Sequence, residues 1–110
     1  MREREVEKHL RERVEALGGE CKKFIPDNDP GYPDRIVMLP GGVLVWVETK
    51  KPKGGKVSKI KLLRHEQLRA LGQRVVVVWT KEQADELVEQ LARQMETALC
   101  GHHRGLYLLP

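Results

Sequence analysis

Two acidic residues and a lysine stand at the ends of an otherwise apolar stretch, GYPDRIVMLPGGVLVWVETKK at residues 31–51. Its Pro-Gly-Gly turn at residues 40–42 separates two runs that are typical of β-strands, which predicts an antiparallel hairpin. In that hairpin Asp34 lies opposite Glu48, with Cβ atoms about 4.5–5.5 Å apart if the strands are in register. Lys50 follows Glu48 by two residues, so its side chain leaves the same face of the strand.

Two carboxylates this close repel each other unless a cation lies between them or one of them keeps its proton. A hard cation such as Mg²⁺ takes oxygen ligands, and it usually binds one or two carboxylates together with a substrate phosphate. An ammonium group beside such an ion can polarise a water molecule and offset negative charge on a phosphate. We therefore predict that Asp34 and Glu48 bind a divalent metal ion and that Lys50 acts beside it.

The same residues could instead form an ion-paired strand end, in which Asp34 pairs with Lys50, and Glu48 pairs with Arg35 or Lys51. Two features favour the metal site. The run VLVWV before Glu48 is typical of a core strand, so this carboxylate lies at the end of a buried segment. A basic loop that contains two glycines follows at once.

The positive charge of the chain is concentrated in one segment. Lys and Arg total 20 against 16 Asp and Glu, but residues 50–64 hold seven basic residues and no acidic one. Such a block can neutralise phosphates and release the counterions of a nucleic acid. The alternative is an ordinary solvated loop and helix face. We expect the DNA contacts to come from Lys51, Lys53, Lys56 and Lys59.

The remaining pattern predicts a single α/β domain at residues 1–99, followed by a tail at residues 100–110 that has no clear period. Ser58 and Thr80 are typical N-cap residues, and each precedes a segment with helical periodicity. The predicted order is α-β-β-β-α-β-α, which gives a mixed central sheet flanked by helices. The helix after Ser58 then supplies a right-handed crossover between two parallel strands.

The composition indicates a reduced compartment away from membranes. Cys21 and Cys100 match no metal-binding or redox spacing, so no disulfide framework is expected. The highly charged N-terminal segment has no apolar core of a secretory signal. No apolar run approaches the roughly 18 residues of a membrane span. We therefore expect a cytoplasmic protein of a bacterium or of a phage-infected cell.

Asp34 after Pro33, followed by Glu48-Thr49-Lys50, resembles the PD-(D/E)xK nuclease signature. A longer ordered set over about residues 3–90 is similar to the small stand-alone phage and bacterial members of the virus-type replication-repair nuclease (VRR-NUC) domains. The matching pieces are a glutamate-bearing first helix that ends in Gly18-Gly19, Lys23-Phe24, Gly31-Tyr32-Pro33-Asp34-Arg35, Leu39-Pro40-Gly41-Gly42, Val47-Glu48-Thr49-Lys50-Lys51-Pro52, Ser58, His65, Leu68, Gly72 and the strand at 75–78.

The resemblance implies a restriction-endonuclease-like core that cleaves phosphodiesters with Mg²⁺ or Mn²⁺. Asp34 and Glu48 would be metal ligands, and the carbonyl oxygen of Thr49 would complete the protein ligand set. Lys50 would position the attacking water. No small-molecule cofactor is implied.

The family also carries a glutamate on its first helix, for which Glu3 is the better candidate and Glu7 the second. Glu3 falls within the apolar stripe of that helix, whereas Glu7 lies at the edge of the stripe; Glu3 could equally be a helix-start residue that favours the helix dipole. Many relatives have a glutamine early in the second helix where this chain has Lys61, so we leave Lys61 out of the catalytic set. His65 on the same helix is a further candidate for phosphate binding.

The stand-alone branch resembles Holliday-junction resolvases in size and core, so we expect a structure-specific DNA endonuclease that acts as a homodimer. A twofold dimer would place two symmetric cuts across a four-way junction. One alternative is a nuclease that cuts flaps or nicks as a subunit of a phage replication-repair machine. The other is a non-catalytic DNA-binding module with the same fold.

Overall fold

The computed structural model describes residues 2–100, and it contains three helices and four strands in the predicted order. The α/β fold expected from the sequence is confirmed. The elements are α1 (Glu3–Ala16), β1 (Glu20–Lys23), β2 (Arg35–Leu39), β3 (Val43–Thr49), α2 (Lys59–Ala70), β4 (Val75–Val78) and α3 (Lys81–Cys100).

The four strands form one mixed sheet in the order β1-β2-β3-β4, in which only the β3–β4 pair is parallel. The β2–β3 hairpin has the predicted register, with Arg35 opposite Val47 and Ile36 opposite Trp46. Gly41 and Gly42 make its turn with φ values of 88° and 77°, which side-chain-bearing residues rarely adopt.

One face of the sheet is covered by α1 and α3. Every second residue of β2 and β3 is apolar on that face and packs against the apolar stripes of the two helices. The members of this core include Val6, Leu10, Val14, Val37, Val45, Val47, Leu87, Val88 and Leu91. Because side chains alternate along a strand, Glu48, next to Val47, points to the opposite face.

The second helix is the crossover that makes β4 parallel to β3. The Ser58 hydroxyl accepts a hydrogen bond of 3.3 Å from the backbone N–H of Lys61, which confirms Ser58 as the N-cap. The loop before β2 packs closely on this helix at Gly31, where an added Cβ would lie 3.0 Å from the carbonyl oxygen of Ile60. The φ of 98° at Gly31 also favours glycine. This contact holds the segment before Asp34 against α2.

The last helix continues to Cys100, one residue beyond the predicted end of the domain. The rest of the predicted tail, 101–110, lies outside the described residues. Among residues 2–100, no helix combines the length and the apolar character that crossing a membrane requires.

Candidate metal and nucleic-acid site

Asp34 is positioned by the end of the β2–β3 hairpin, one residue before the first paired residue of β2. The backbone N–H of Thr49 donates to its Oδ1 and the Thr49 hydroxyl donates to its Oδ2, both at 3.3 Å. Burial, together with the negative charge of Glu48, holds the pKa of Asp34 above its usual value. The two carboxylates therefore interact, as the predicted register requires.

Glu48 is one of the most buried charged side chains of the molecule, with 1% of its surface exposed. Both of its carboxylate oxygens lie 2.8 Å from the Nζ atom of Lys61. The Nζ of Lys50 lies 3.4 Å from Oε2 of the same carboxylate. Burying a carboxylate is costly unless opposite charges compensate it, and these two lysines provide the compensation.

Lys61 therefore lies inside the site from which the sequence analysis left it out. That exclusion rested on a glutamine in relatives, whereas the structure shows a direct contact with Glu48. One signal could have found it. Lys61 lies in the first turn of the helix that covers the Glu48 face of the sheet, and a carboxylate at the end of a core strand needs a cation.

The first-helix carboxylates line a cleft of about 400 Å³ that also borders Asp34, Arg35 and Thr49. Glu7 Oε1 lies 3.3 Å from an Arg35 guanidinium nitrogen. The other oxygen of Glu7 is buried, lies 3.6 Å from an Arg11 guanidinium nitrogen and has no hydrogen-bond partner among residues 2–100. Glu3 borders the same cleft and is partly exposed. The geometry thus favours Glu7, the second choice of the sequence analysis, as the inward carboxylate.

The seven basic residues of segment 50–64 divide into two groups. Three point into the molecule: Lys50 and Lys61 contact Glu48, and Arg64 pairs with Asp29. The other four are exposed, and none of them forms an ion pair within the described part of the chain. These are Lys51, Lys53, Lys56 and Lys59, which we call the lysine surface.

His65 is not on this surface. Its side chain is 1% exposed, so it cannot reach a phosphate in this conformation, contrary to the expectation from sequence. Its Nε2 has no hydrogen-bond partner within residues 2–100. Burial lowers the pKa of the imidazole, and the charges of Arg69 and Lys61 lower it further. His65 is therefore a neutral buried residue one turn after Lys61.

A larger cleft of about 790 Å³ lies near the β2–β3 turn and the end of α3. Its polar lining is made of Arg74, Arg93, Gln90, Gln94 and Thr97, without a carboxylate. It offers no acid that could bind a metal or accept a proton. The smaller cleft beside Asp34 is the better candidate for chemistry.

The donor set fits a hard divalent ion. Asp34 and Glu48 would supply carboxylate oxygens, and the family resemblance adds the Thr49 carbonyl; ions such as Mg²⁺ use one or two carboxylates and fill the remaining positions with water or phosphate. No group of three or more His, Cys, Asp or Glu side chains within residues 2–100 could hold a metal on its own. Burial first, and the neighbouring Glu48 charge second, raise the pKa of Asp34, so a cation at this carboxylate would favour its charged form.

The fold can be compared with those of known proteins. No protein-family model matches the chain. A solved structure described as a VRR_NUC domain superposes with a TM-score of 0.75 at 41% sequence identity, covering 79% of this chain and 94% of that one. The chain belongs to the VRR-NUC family.

A second relative comes from the Acyrthosiphon pisum secondary endosymbiont phage 1 and is named "Putative nuclease p44". It is 42% identical over 78 residues, which cover 71% of this VRR-NUC chain and 83% of the phage protein. The fold, the element order and the family predicted from the sequence are therefore confirmed.

Proposed function

We propose that this VRR-NUC domain is a metal-dependent DNA endonuclease that hydrolyses phosphodiester bonds. The observation that supports it is the meeting of Asp34, Glu48 and Lys50 at one end of the β2–β3 hairpin, directly before the exposed lysine surface. The VRR-NUC relationship and the nuclease name of the phage relative support the same activity.

Each residue has a distinct part in this proposal. Asp34, Glu48 and the Thr49 carbonyl would hold Mg²⁺ or Mn²⁺, which would supply activation of a water molecule and offset charge on the phosphate. Thr49 also orients Asp34 through its two hydrogen bonds. Lys50 holds the attacking water, and its ammonium group offsets the charge that develops on the phosphate. The oxygen of that water would form a new bond to phosphorus as the bond from phosphorus to a sugar oxygen breaks, with the proton of the water passing to solvent and the leaving sugar oxygen taking a proton from solvent.

Glu7 takes the role that the sequence analysis assigned first to Glu3. Arg35 holds one oxygen of Glu7, and the other oxygen, 3.6 Å from an Arg11 guanidinium nitrogen, has no hydrogen-bond partner within residues 2–100 and could accept one from a water molecule in the cleft. The lysine surface binds the DNA backbone beside the cleft through charge, which gives no base specificity.

The substrate we propose is branched DNA, with a four-way junction as the first case, cut by a homodimer. A single domain of this size has little surface with which to recognise a branch alone. A twofold dimer would present two equivalent sites whose cuts are related by symmetry. The place of action would be the cytoplasm of a bacterial or phage-infected cell.

A cleavage assay separates this proposal from its two alternatives. The protein is incubated with four-way junction, flap, nicked and linear duplex DNA in Mg²⁺, Mn²⁺ or EDTA. Paired nicks across the junction, seen only with metal, support the proposal. Cutting of flaps or nicks alone supports a subunit of a replication-repair machine. Retarded but uncut DNA in every metal supports a non-catalytic binding module. Light scattering of the purified protein, alone and with junction, measures whether it is a dimer.

A further inference from the structure

The shortest polar contacts of Glu48 are with Lys61, which has no part in the proposed reaction. The Lys61 ammonium lies 2.8 Å from each of its two oxygens, so it sits between them. Lys50 approaches one oxygen only, at 3.4 Å. Thr49, the hydrogen-bond partner of Asp34, carries no charge.

We propose that Lys61 is the resident counterion of Glu48 in the metal-free protein and that a divalent ion must displace it to bind that carboxylate. This inference rests on the proposed function, because it assumes that Glu48 is a metal ligand. It makes Lys61 a positioning residue, one that holds the carboxylate until the metal arrives.

The competition follows from geometry. A metal ion such as Mg²⁺ must come within about 2.0–2.1 Å of a carboxylate oxygen. The Lys61 ammonium contacts both oxygens of Glu48, so an ion that binds both oxygens has to take the place that Nζ occupies. Two cations around one carboxylate also repel each other, and in a buried site water screens that repulsion poorly. Lys61 and a metal ion therefore exclude each other on Glu48.

Lys61 can leave without unfolding the site. Its side chain is 26% exposed and ends a flexible four-carbon stem, whereas the Glu48 side chain is 1% exposed and fixed in the strand. The helix backbone at Lys61 is held by the Ser58 cap, so only the side chain has to move. Once released, the ammonium remains at the edge of the site, within reach of an arriving phosphate.

The test is a comparison of Mn²⁺ binding, measured by titration calorimetry in the absence of DNA. Lys61→Gln keeps a polar side chain of moderate length but removes the charge that competes for Glu48. Lys59→Gln is the matched control, because it removes the same charge two residues away on the same helix without touching Glu48. We expect Lys61→Gln to bind Mn²⁺ about tenfold more tightly than the native protein, and Lys59→Gln to change affinity by less than about twofold. Unchanged or weaker binding by Lys61→Gln, or equal tightening in the two variants, would overturn the inference.

Thermal unfolding gives a second readout that a purely structural role of Lys61 would not produce. In EDTA, Lys61→Gln should unfold at a lower temperature than the native protein, because Glu48 loses its main partner. In saturating Mn²⁺ this difference in unfolding temperature between the two proteins should disappear, because the metal replaces Lys61 at Glu48 in the native protein as well. A gap of the same size in EDTA and in Mn²⁺ means that the ion pair survives metal binding, and that result contradicts displacement.

The inference and the proposed function can fail separately. If the native protein cleaves DNA with Mn²⁺ but Lys61→Gln binds the ion no better, displacement is wrong and the nuclease remains. If tight binding by Lys61→Gln persists when Glu48→Gln is added, the ion does not use Glu48, and both proposals fall. Loss of the tight binding in that double variant supports both.

Discussion

Asp34 accepts two hydrogen bonds from Thr49, the residue that directly follows Glu48 in β3. This pair fixes one carboxylate to the backbone of the strand that carries the other. The distance between the acids is thus set by the hairpin rather than by a flexible loop. The two acids of the proposed metal site are therefore held in place by the hairpin backbone, so removing the charge of one acid should abolish metal-dependent cleavage without disturbing the fold.

Asp34→Asn tests that statement, because asparagine keeps the size of the side chain and one acceptor oxygen for Thr49. We expect cleavage to fall by at least about 100-fold, while binding to junction DNA remains near native. Cleavage rates are compared with those of Asp27→Asn, which removes the same charge from an exposed loop position. Asp34→Asn cutting at the native rate would remove Asp34 from the metal site.

The first-helix carboxylate can be assigned by a pair of variants. The Glu7 side chain is 14% exposed and pairs with Arg35 and Arg11, whereas Glu3 forms no ion pair within residues 2–100 and lies at the border of the cleft. We therefore expect Glu7→Gln to lower the cleavage rate by about tenfold or more, and Glu3→Gln to have a much smaller effect.

Both first-helix variants are assayed at saturating metal, and their unfolding is recorded, because Glu7→Gln also leaves Arg35 without a carboxylate. A larger loss in Glu3→Gln would restore the assignment first made from the sequence.

The lysine surface should set the salt dependence of DNA binding. Each lysine that contacts a phosphate contributes about one unit to the slope of log K against log salt. Changing Lys53, Lys56 and Lys59 together to alanine should weaken binding and reduce this slope by up to about three units. The control replaces the exposed Lys8 and Lys22 with alanine. A triple variant with the native slope would make the lysine surface an ordinary solvated one.

Asp85 on α3 pairs with two basic residues of α1, and this contact should make the stability of the fold depend on pH. Asp85 lies 2.7 Å from His9 Nε2 and also pairs with Arg13. The hydrogen bond with His9 is the main cause that lowers the pKa of Asp85 below its usual 3.8, and the Arg13 charge adds to it.

A carboxylate whose pKa is lower in the folded than in the unfolded protein stabilises the fold at pH values above its unfolded pKa. This stabilisation is lost as the pH falls through the folded pKa. We expect Asp85→Asn to lower the free energy of unfolding by at most about 1 kcal/mol near pH 6, because the group is partly exposed. The difference should shrink below about pH 4. Urea unfolding at several pH values measures it, and a constant gap from pH 6 to pH 3 would contradict this account.

The fold could be predicted from the sequence because its signals are local. Ser58 caps α2 and the Thr80 hydroxyl accepts from the Gln83 N–H at 3.0 Å, as the helix-start patterns indicate. The Pro-Gly-Gly turn sets the hairpin register, and the register in turn places Asp34 by Glu48. Period-two and helical patterns carry this information within a few residues.

What the sequence missed depends on contacts between distant elements. Lys61 meets Glu48 only because the crossover helix covers that end of the sheet, and a family comparison had directed attention away from it. His65, a candidate for phosphate binding from the sequence, is buried instead, because it lies on the inner side of the crossover helix. The choice between Glu3 and Glu7 depends on Arg35, which lies on strand β2. A helical wheel of α1 shows only the residues of that helix, so it cannot show this contact.

The central claim is that a divalent ion binds between Asp34 and Glu48. Crystals of the protein soaked in manganese, with data collected for anomalous scattering, test it most directly. We predict a strong anomalous peak between the two carboxylates, with the Lys61 side chain moved away from Glu48. Well-ordered crystals with no peak between these acids, or with the only peak elsewhere, would contradict the account.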